Sequence, residues 1–487
     1  MLKPKYLDQI PDNMIELYSQ AEMDILADMA RRISTYDYFI PAAQHQFVKL
    51  QEMGLLHDEI VKKLSAMTGK TQREIKRLMQ EAGATALKAD DSIYRKAGLN
   101  PTPLDADPAL QSVLQSGFDK TSGLFTNLTQ TTAGAAQKQF ERALDQAYMQ
   151  VTSGAFDYNS AIRNSIKSLA ERGLASIEYP GGKMDNIEVA VRRAVVTGVN
   201  STAGKLSEAR AEEMGCDLVE TSAHAGARPE HAVWQGKIFS RSGTHPKYPD
   251  FVKETGYGTG AGLCGWNCHH SFQSYIEGVS DPAYTQAELD DMNAEKYEYN
   301  GKKMTEYEAT QQQRHIERTI RKWRREYVAM DAASQPTEEA AAKIAHWQRV
   351  QRDFIKQTGL KRQGDREQIP GFGRSEAARA GSINREIASY QELSGIKASN
   401  GVTVKEVSQH FGIRAVQRNV TAPAAQDALL NPLKIGKIRA DGTQQFIGEY
   451  ATIAVNTETG KIVTAWRTST DKSQTLKRRL GKDESQI

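Results

Sequence analysis

Residues 222–239 read SAHAGARPEHAVWQGKIF, residues 248–263 read YPDFVKETGYGTGAGL, and residues 264–278 read CGWNCHHSFQSYIEG. Two of the three cysteines, Cys264 and Cys268, fall here, with five of the ten histidines: His224, His231, His245, His269 and His270. Trp234 and Trp266 join them, and glycines recur throughout. No helical period runs through the stretch, whereas one runs through most of the chain on either side. The expected fold class follows: a mainly α N-terminal and central region interrupted by this loop-rich insertion, then a small α+β C-terminal domain.

Thiolate and imidazole are the ligands zinc prefers, and a structural site needs four of them. Cys264 and Cys268 lie four positions apart and His269 follows at once, with His224 and His231 preceding them across a loop. A structural zinc held by His224 or His231, Cys264, Cys268, and His269 or His270 is therefore the expected cofactor, and no other is expected. The competing reading is a tight loop core around Trp234 and Trp266, its histidines satisfied by hydrogen bonds. A third reading pairs Cys268 as a thiolate with a neighbouring histidine for catalysis, although adjacency in sequence does not supply hydrogen-bond geometry.

Composition bounds the rest. At about 150 residues per domain, 487 residues suggest roughly three domains. Hydrophobic content of 39% with 25% charge marks a globular chain, and a net charge of +3 gives no electrostatic argument for a polyanion partner. Three cysteines are too few for a disulfide scaffold, which fits a reducing compartment. No apolar run suits a signal peptide or a membrane span, so no membrane partner is expected.

Upstream, Met14, Tyr18, Ala21, Ile25 and Met29 fall on one helical face. Residues 58–79 read as another helix, with Ile60, Leu64, Ile75 and Leu78 apolar and a capping box at Thr71 and Glu74. The run LSAMTGKT is no phosphate loop, because Leu64 stands where the first glycine must be. Residues 101–111 are a proline-punctuated turn. Residues 121–137, rich in Thr, Gly and Ala, read as a surface helix. Residues 185–214 read as a strong helix whose Arg192, Arg193 and Arg210 form a solvated face. Downstream, residues 287–330 and 338–357 read as a helical hairpin laced with ion pairs, with Ile316, Ile320, Trp323 and Tyr327 on one face. Residues 358–382 lose all apolar period and read as a linker. The expected divisions are a helical region 1–221, a loop-rich closure 222–280, polar helices 281–357, a linker 358–394 and an α+β module 395–487. In that module, helices are expected at 402–411 and 422–430. Strands are expected at 445–455 and 461–466 around the Asn456–Gly460 turn.

The segments RRAVVTGVNSTAGKLSEARAEEMG (192–215), HAGARPEHAVWQGKIFS (224–240) and YPDFVKETGYGTGAGLCGWNCHHSF (248–272) resemble the phage minor capsid protein 2 family, over roughly residues 1–360. The resemblance implies a low-copy virion protein near the portal, acting in head assembly or DNA ejection. It implies the portal and other head proteins as partners, and no established catalysis in this part. Residues 395–487 resemble phage-encoded nucleases of the barnase, EndoU, colicin E5/D and RelE grouping, through VSQHFGIRAVQRNV (407–420), DALLNPLKIGKI (427–438) and GEYATIAVNTETGKIVTAWRTS (448–469). This implies an RNA or DNA target and an inhibitor protein.

Metal-free RNA cleavage needs a base, an acid and cations for the phosphorane charge. His410 supplies an imidazole, a group able to serve as acid or base. Arg414 and Arg418 follow at helical spacing, Thr464, Thr468 and Ser469 offer hydroxyls, and Lys472, Lys477, Arg478 and Arg479 make a basic tail suited to a polyanion. The competing reading is an accessory domain that binds a partner or nucleic acid without catalysis.

Overall fold

A computed structural model describes residues 1–178 and 184–484. Residues 179–183 of the expected helical region and 485–487 of the expected C-terminal module lie outside the described residues. The chain forms two compact units, Met1–Arg318 with Gln351–Pro370, and Thr319–Val350 with Gly371–Ile487.

The first unit opens with helices α1 (Pro4–Gln9), α2 (Asp12–Thr35), α3 (Ala42–Ser65) and α4 (Thr68–Lys96). The expected stripe of Met14, Tyr18, Ala21, Ile25 and Met29 is the buried face of α2. Residues 58–79 are two helices rather than one, because the chain turns at Ala66 and Met67. Ile60 and Leu64 close α3 while Ile75 and Leu78 lie on α4, all buried. The capping box is corrected. Since α4 starts at Thr68, the Thr71 N–H already bonds Met67 O at 2.9 Å, and the Thr71 hydroxyl meets that of Tyr18 at 3.3 Å. Glu74 instead pairs with Arg77 at 2.6 Å.

Helix α5 (Pro108–Thr152) begins where Asp107 accepts from the N–H groups of Ala109 and Leu110, with Pro108 placed where its missing N–H costs nothing. Helix α6 (Tyr158–Arg172) and the hairpin β1 (Ala175–Glu178) and β2 (Met184–Asn186) lead to α7 (Ile187–Glu213), which Asn186 caps. The expected surface helix at 121–137 lies inside α5, and Thr121, Phe125, Leu128, Thr132 and Ala136 are buried. Its small residues allow close approach of α7. A Cβ built on Gly117 would lie 2.3 Å from Thr202 Oγ1, and one on Gly198 2.4 Å from Thr121 Oγ1. The solvated arginine face is also corrected. Arg210 is fully buried, 3.3 Å from Asp91 and 2.9 Å from Glu213, because α4 covers that side of α7.

The Gly/His/Cys stretch contains more than loops. Strands β3 (Leu218–Thr221), β4 (Ile238–Ser240) and β5 (Phe272–Ser274) form an antiparallel sheet with β3 in the middle. Short helices α8 (Pro229–Ala232) and α9 (Phe251–Thr255) fill the connections. Val219, Trp234, Phe239, Phe251, Leu263, Cys264, Cys268 and Phe272 form its core. Helix α10 (Gln286–Met292) and an unexpected hairpin, β6 (Tyr297–Tyr299) with β7 (Lys302–Met304), precede α11 (Glu306–Ala332) and α12 (Glu338–Thr358).

In the second unit, the segment read as a linker carries α13 (Arg374–Ser389), whose Ala380 and Ile387 are buried and whose Asn384 donates to Ala341 O. Helix α14 (Gln409–Gln417) starts later than expected because Ser408 caps it, and α15 (Ala422–Leu430) matches its expectation. Strands β8 (Lys434–Ile435), β9 (Thr443–Ile447), β10 (Ala451–Asn456) and β11 (Ile462–Arg467) form an antiparallel sheet in the order β11-β10-β9-β8, followed by α16 (Thr470–Glu484). The expected strand at 445–455 is a hairpin, turning where Gly448 N–H bonds Ala451 O at 2.8 Å. The Asn456 turn forms as read, its Oδ1 accepting from the N–H groups of Glu458 and Thr459.

Candidate functional sites

His231 on α8 and Cys268 and His270 just before β5 converge in the first unit. Their ligand atoms are mutual neighbours: His231 Nδ1 to His270 Nδ1 is 3.4 Å, and Cys268 Sγ lies 3.7 Å from the first and 3.8 Å from the second. All three are buried. Asn200 of α7 holds the strand end, its Nδ2 donating to the carbonyls of both Cys268 and His270 at 2.9 Å. Gln235 Oε1 accepts from the His224 N–H at 3.0 Å and lies 3.1 Å from His270 Nε2.

Of the ligands expected from sequence, the structure brings together His231, Cys268 and His270. Cys264 is buried with its Sγ turned to the His270 carbonyl at 3.7 Å, outside the ligand group. His224 stacks 4.4 Å from the His270 ring, and its Nδ1 is taken up 2.9 Å from Ala225 O. Of the two histidines left open at that position, His270 joins the group and His269 contributes no ligand atom. Cys268 and His270 are buried, and the His270 N–H donates to Cys268 Sγ at 3.4 Å, while His269 is partly exposed. Asn200 and Gln235 carried no signal in the sequence.

The cluster borders a cavity of about 1070 Å³, which Asp8, His224, His269, Glu306, Arg314 and Arg366 also line. Burial pushes the Cys268 thiol up and the imidazoles of His224 and His231 down. It pushes His270 well below its ordinary value, reinforced by the neighbouring His224 and His231. His269 falls to about 4, again through burial, against the pull of Asp8. The imidazoles are therefore neutral at pH 7. Burial thus favours the protonated thiol of Cys268 and the neutral rings beside it, against the thiolate pair that the third reading needs.

In the second unit, His410 and Arg414 stand exposed on α14. Arg418, which ends that helix, donates from Nη1 to Thr464 Oγ1 and to Ala465 O, each at 2.8 Å. Thr468 is buried, its hydroxyl 2.9 Å from that of Thr452, so it braces the sheet and is no donor to a ligand. Ser469 is exposed, its Oγ accepting from the Lys472 N–H at 3.4 Å. Lys477 pairs with Glu449 at 2.6 Å. The structure joins Arg418 to Thr464 and leaves His410, Arg414 and Ser469 exposed, with Arg414 Nη1 donating to Gln417 Oε1 at 3.5 Å.

A family profile described as phage minor capsid protein 2 matches residues 2–356, which include the His/Cys cluster. A structural protein of Lactococcus phage LL-H is 28% identical over 291 residues, 54% of this chain and 75% of that protein. A structural protein of Lactococcus phage mv4 is 33% identical over 128 residues, 26% of this chain and 94% of that protein. No solved structure matches.

Proposed function

The chain belongs to the phage minor capsid protein 2 family, and from that premise we propose that it is a low-copy head protein seated near the portal whose C-terminal unit cleaves RNA without a metal. Membership makes it a structural component of a phage particle, with other head proteins as its neighbours. The long buried helices of the first unit suit assembly. No helix among the described residues is long and apolar enough to cross a membrane.

The RNase reading rests on one observation: the exposed His410 and Arg414 lie on α14, and Arg418, which caps the C-terminus of that helix, is fixed to β11 through Thr464. Cleavage by the 2′-hydroxyl needs a proton acceptor near that oxygen, and His410 fills the role. Arg414 offsets charge on the phosphorane, while Arg418 holds Thr464 in place. A second reading, binding without catalysis, is favoured by Arg418 already being satisfied by Thr464 and Ala465.

The test incubates the full chain with labelled RNA and labelled DNA in excess chelator, beside His410→Ala. RNA cleavage that survives chelation and vanishes in the variant supports the RNase. An intact substrate with a folded second unit moves the module to the binding class and leaves the capsid role untouched.

A further inference from the structure

We infer that His231, Cys268 and His270 form a preassembled site for one divalent transition-metal cation of the zinc type, with a water from the adjoining cavity as fourth ligand. The ligand spacing carries the argument. Zinc bonds of about 2.05 Å to nitrogen and 2.3 Å to sulfur at tetrahedral angles require edges of about 3.35 Å between nitrogens and about 3.55 Å between nitrogen and sulfur. The protein holds 3.4 Å, 3.7 Å and 3.8 Å. One face of a tetrahedron is thus in place within about 0.3 Å.

The hydrogen bonds behind the rings point the same way. His231 Nε2 lies 2.9 Å from the carbonyl of Ala261, which only accepts, so that nitrogen carries the proton. Gln235 Oε1 is identified as the oxygen because it accepts the His224 backbone N–H, so His270 Nε2 must also be a donor. Both imidazoles, when neutral, therefore turn an Nδ1 lone pair into the same 3.4 Å gap. The Cys268 thiol has one proton, which satisfies at most one of them. A cation in the gap satisfies both and takes the thiolate as its third ligand, the thiol proton leaving to solvent. Backbone carbonyl and amide oxygen behind the ligating rings are the supports that orient metal-bound histidines. Two imidazoles and a thiolate select zinc, cobalt or a similar ion over magnesium or calcium.

All three ligands line the cavity, the source of the fourth ligand in this proposal. The site joins α8 to the strand end before β5 and staples a sheet whose strands are only three or four residues long. It lies in the first unit and is independent of whether His410 cuts RNA.

The experiment uses the full chain, purified without chelators from zinc-replete medium. Elemental analysis is expected to find about one zinc per chain, and the zinc-stripped protein to take up one cobalt(II) with a near-ultraviolet thiolate band and the visible bands of four-coordination. Cys268→Ser is expected to abolish the thiolate band, and His270→Gln to lower metal content at least tenfold, whereas Cys264→Ser and His269→Gln keep both. Folded wild-type protein that binds neither metal stoichiometrically, or a cobalt complex without a thiolate band, overturns the proposal even if the variants fail to fold. Loss of metal from Cys264→Ser with retention in Cys268→Ser overturns it as well, leaving a metal-free hydrogen-bonded cluster at these residues.

Discussion

Gly117→Ala tests whether α5 and α7 meet through interlocking glycines and threonines. The new methyl would sit 2.3 Å from Thr202 Oγ1 and 2.6 Å from its Cγ2. Thr202 is β-branched, and its hydroxyl donates to Gly198 O at 2.7 Å, so it swings clear only by giving up that bond. Overpacking of this kind costs about 1–3 kcal/mol and the hydrogen bond about 1 kcal/mol. Alanine in place of a mid-helix glycine returns about 0.5–1 kcal/mol. The expected net loss is about 1–3 kcal/mol, a drop of a few degrees in the melting transition of the first unit. The decisive measurement repeats the substitution in a Thr202→Ala background. There the two closest clashes are gone and only the residue-202 Cβ remains, 3.0 Å from the new methyl, so Gly117→Ala is expected to cost clearly less than in the wild-type background. The coupling between the two sites would be about 1–2 kcal/mol. Equal destabilisation in both backgrounds, by thermal or urea unfolding, would refute the packing argument.

Arg210→Met should be strongly destabilising, about 3 kcal/mol by urea unfolding, because it leaves Asp91 with only the exposed Arg95, 3.7 Å away. Asp90 is wholly buried and burial raises its carboxyl from 3.8 to about 6, although it accepts from Ser274 N–H at 2.8 Å. With the folded value above the unfolded one, its favourable contribution is present below the unfolded value and is lost as pH climbs through the window up to about 6. Asp90→Asn removes that titration. Its stability relative to wild type should therefore rise across the window and level off above it, as read from urea midpoints at a series of pH values.

The helical architecture was legible wherever an apolar stripe faced a neighbour, as on α2, since burial itself writes that period into the sequence. It was illegible where helices meet through small residues. The threonines and glycines of 117–137 have low hydropathy, yet their lack of bulk is what brings α5 onto α7. The same limit hid α13. Its residues 374–389 are mostly polar, and Ala380 and Ile387 are too few to register as a period. Arg210 shows the converse error, a charge assigned to solvent because its partner Asp91 lies on a helix 119 residues earlier, beyond any local pattern.

The His/Cys site divides along a similar line. That cysteine and histidine in this stretch belong together followed from residue type alone, whereas the choice between His224 and His231 did not. Which of two adjacent histidines turns inward depends on the local backbone. Read as loop, 269 and 270 are equivalent. In the structure Cys268, His270, Ser271 and Phe272 are buried while His269 is partly exposed. The sheet begins only at Phe272, which pairs with Thr221 of β3. What holds the two residues before it is long-range: Asn200 of α7 bonds the carbonyls of both Cys268 and His270 at 2.9 Å. Ligand identity in this protein thus depends on a partner 68 and 70 residues away, which no local pattern at 268–270 displays.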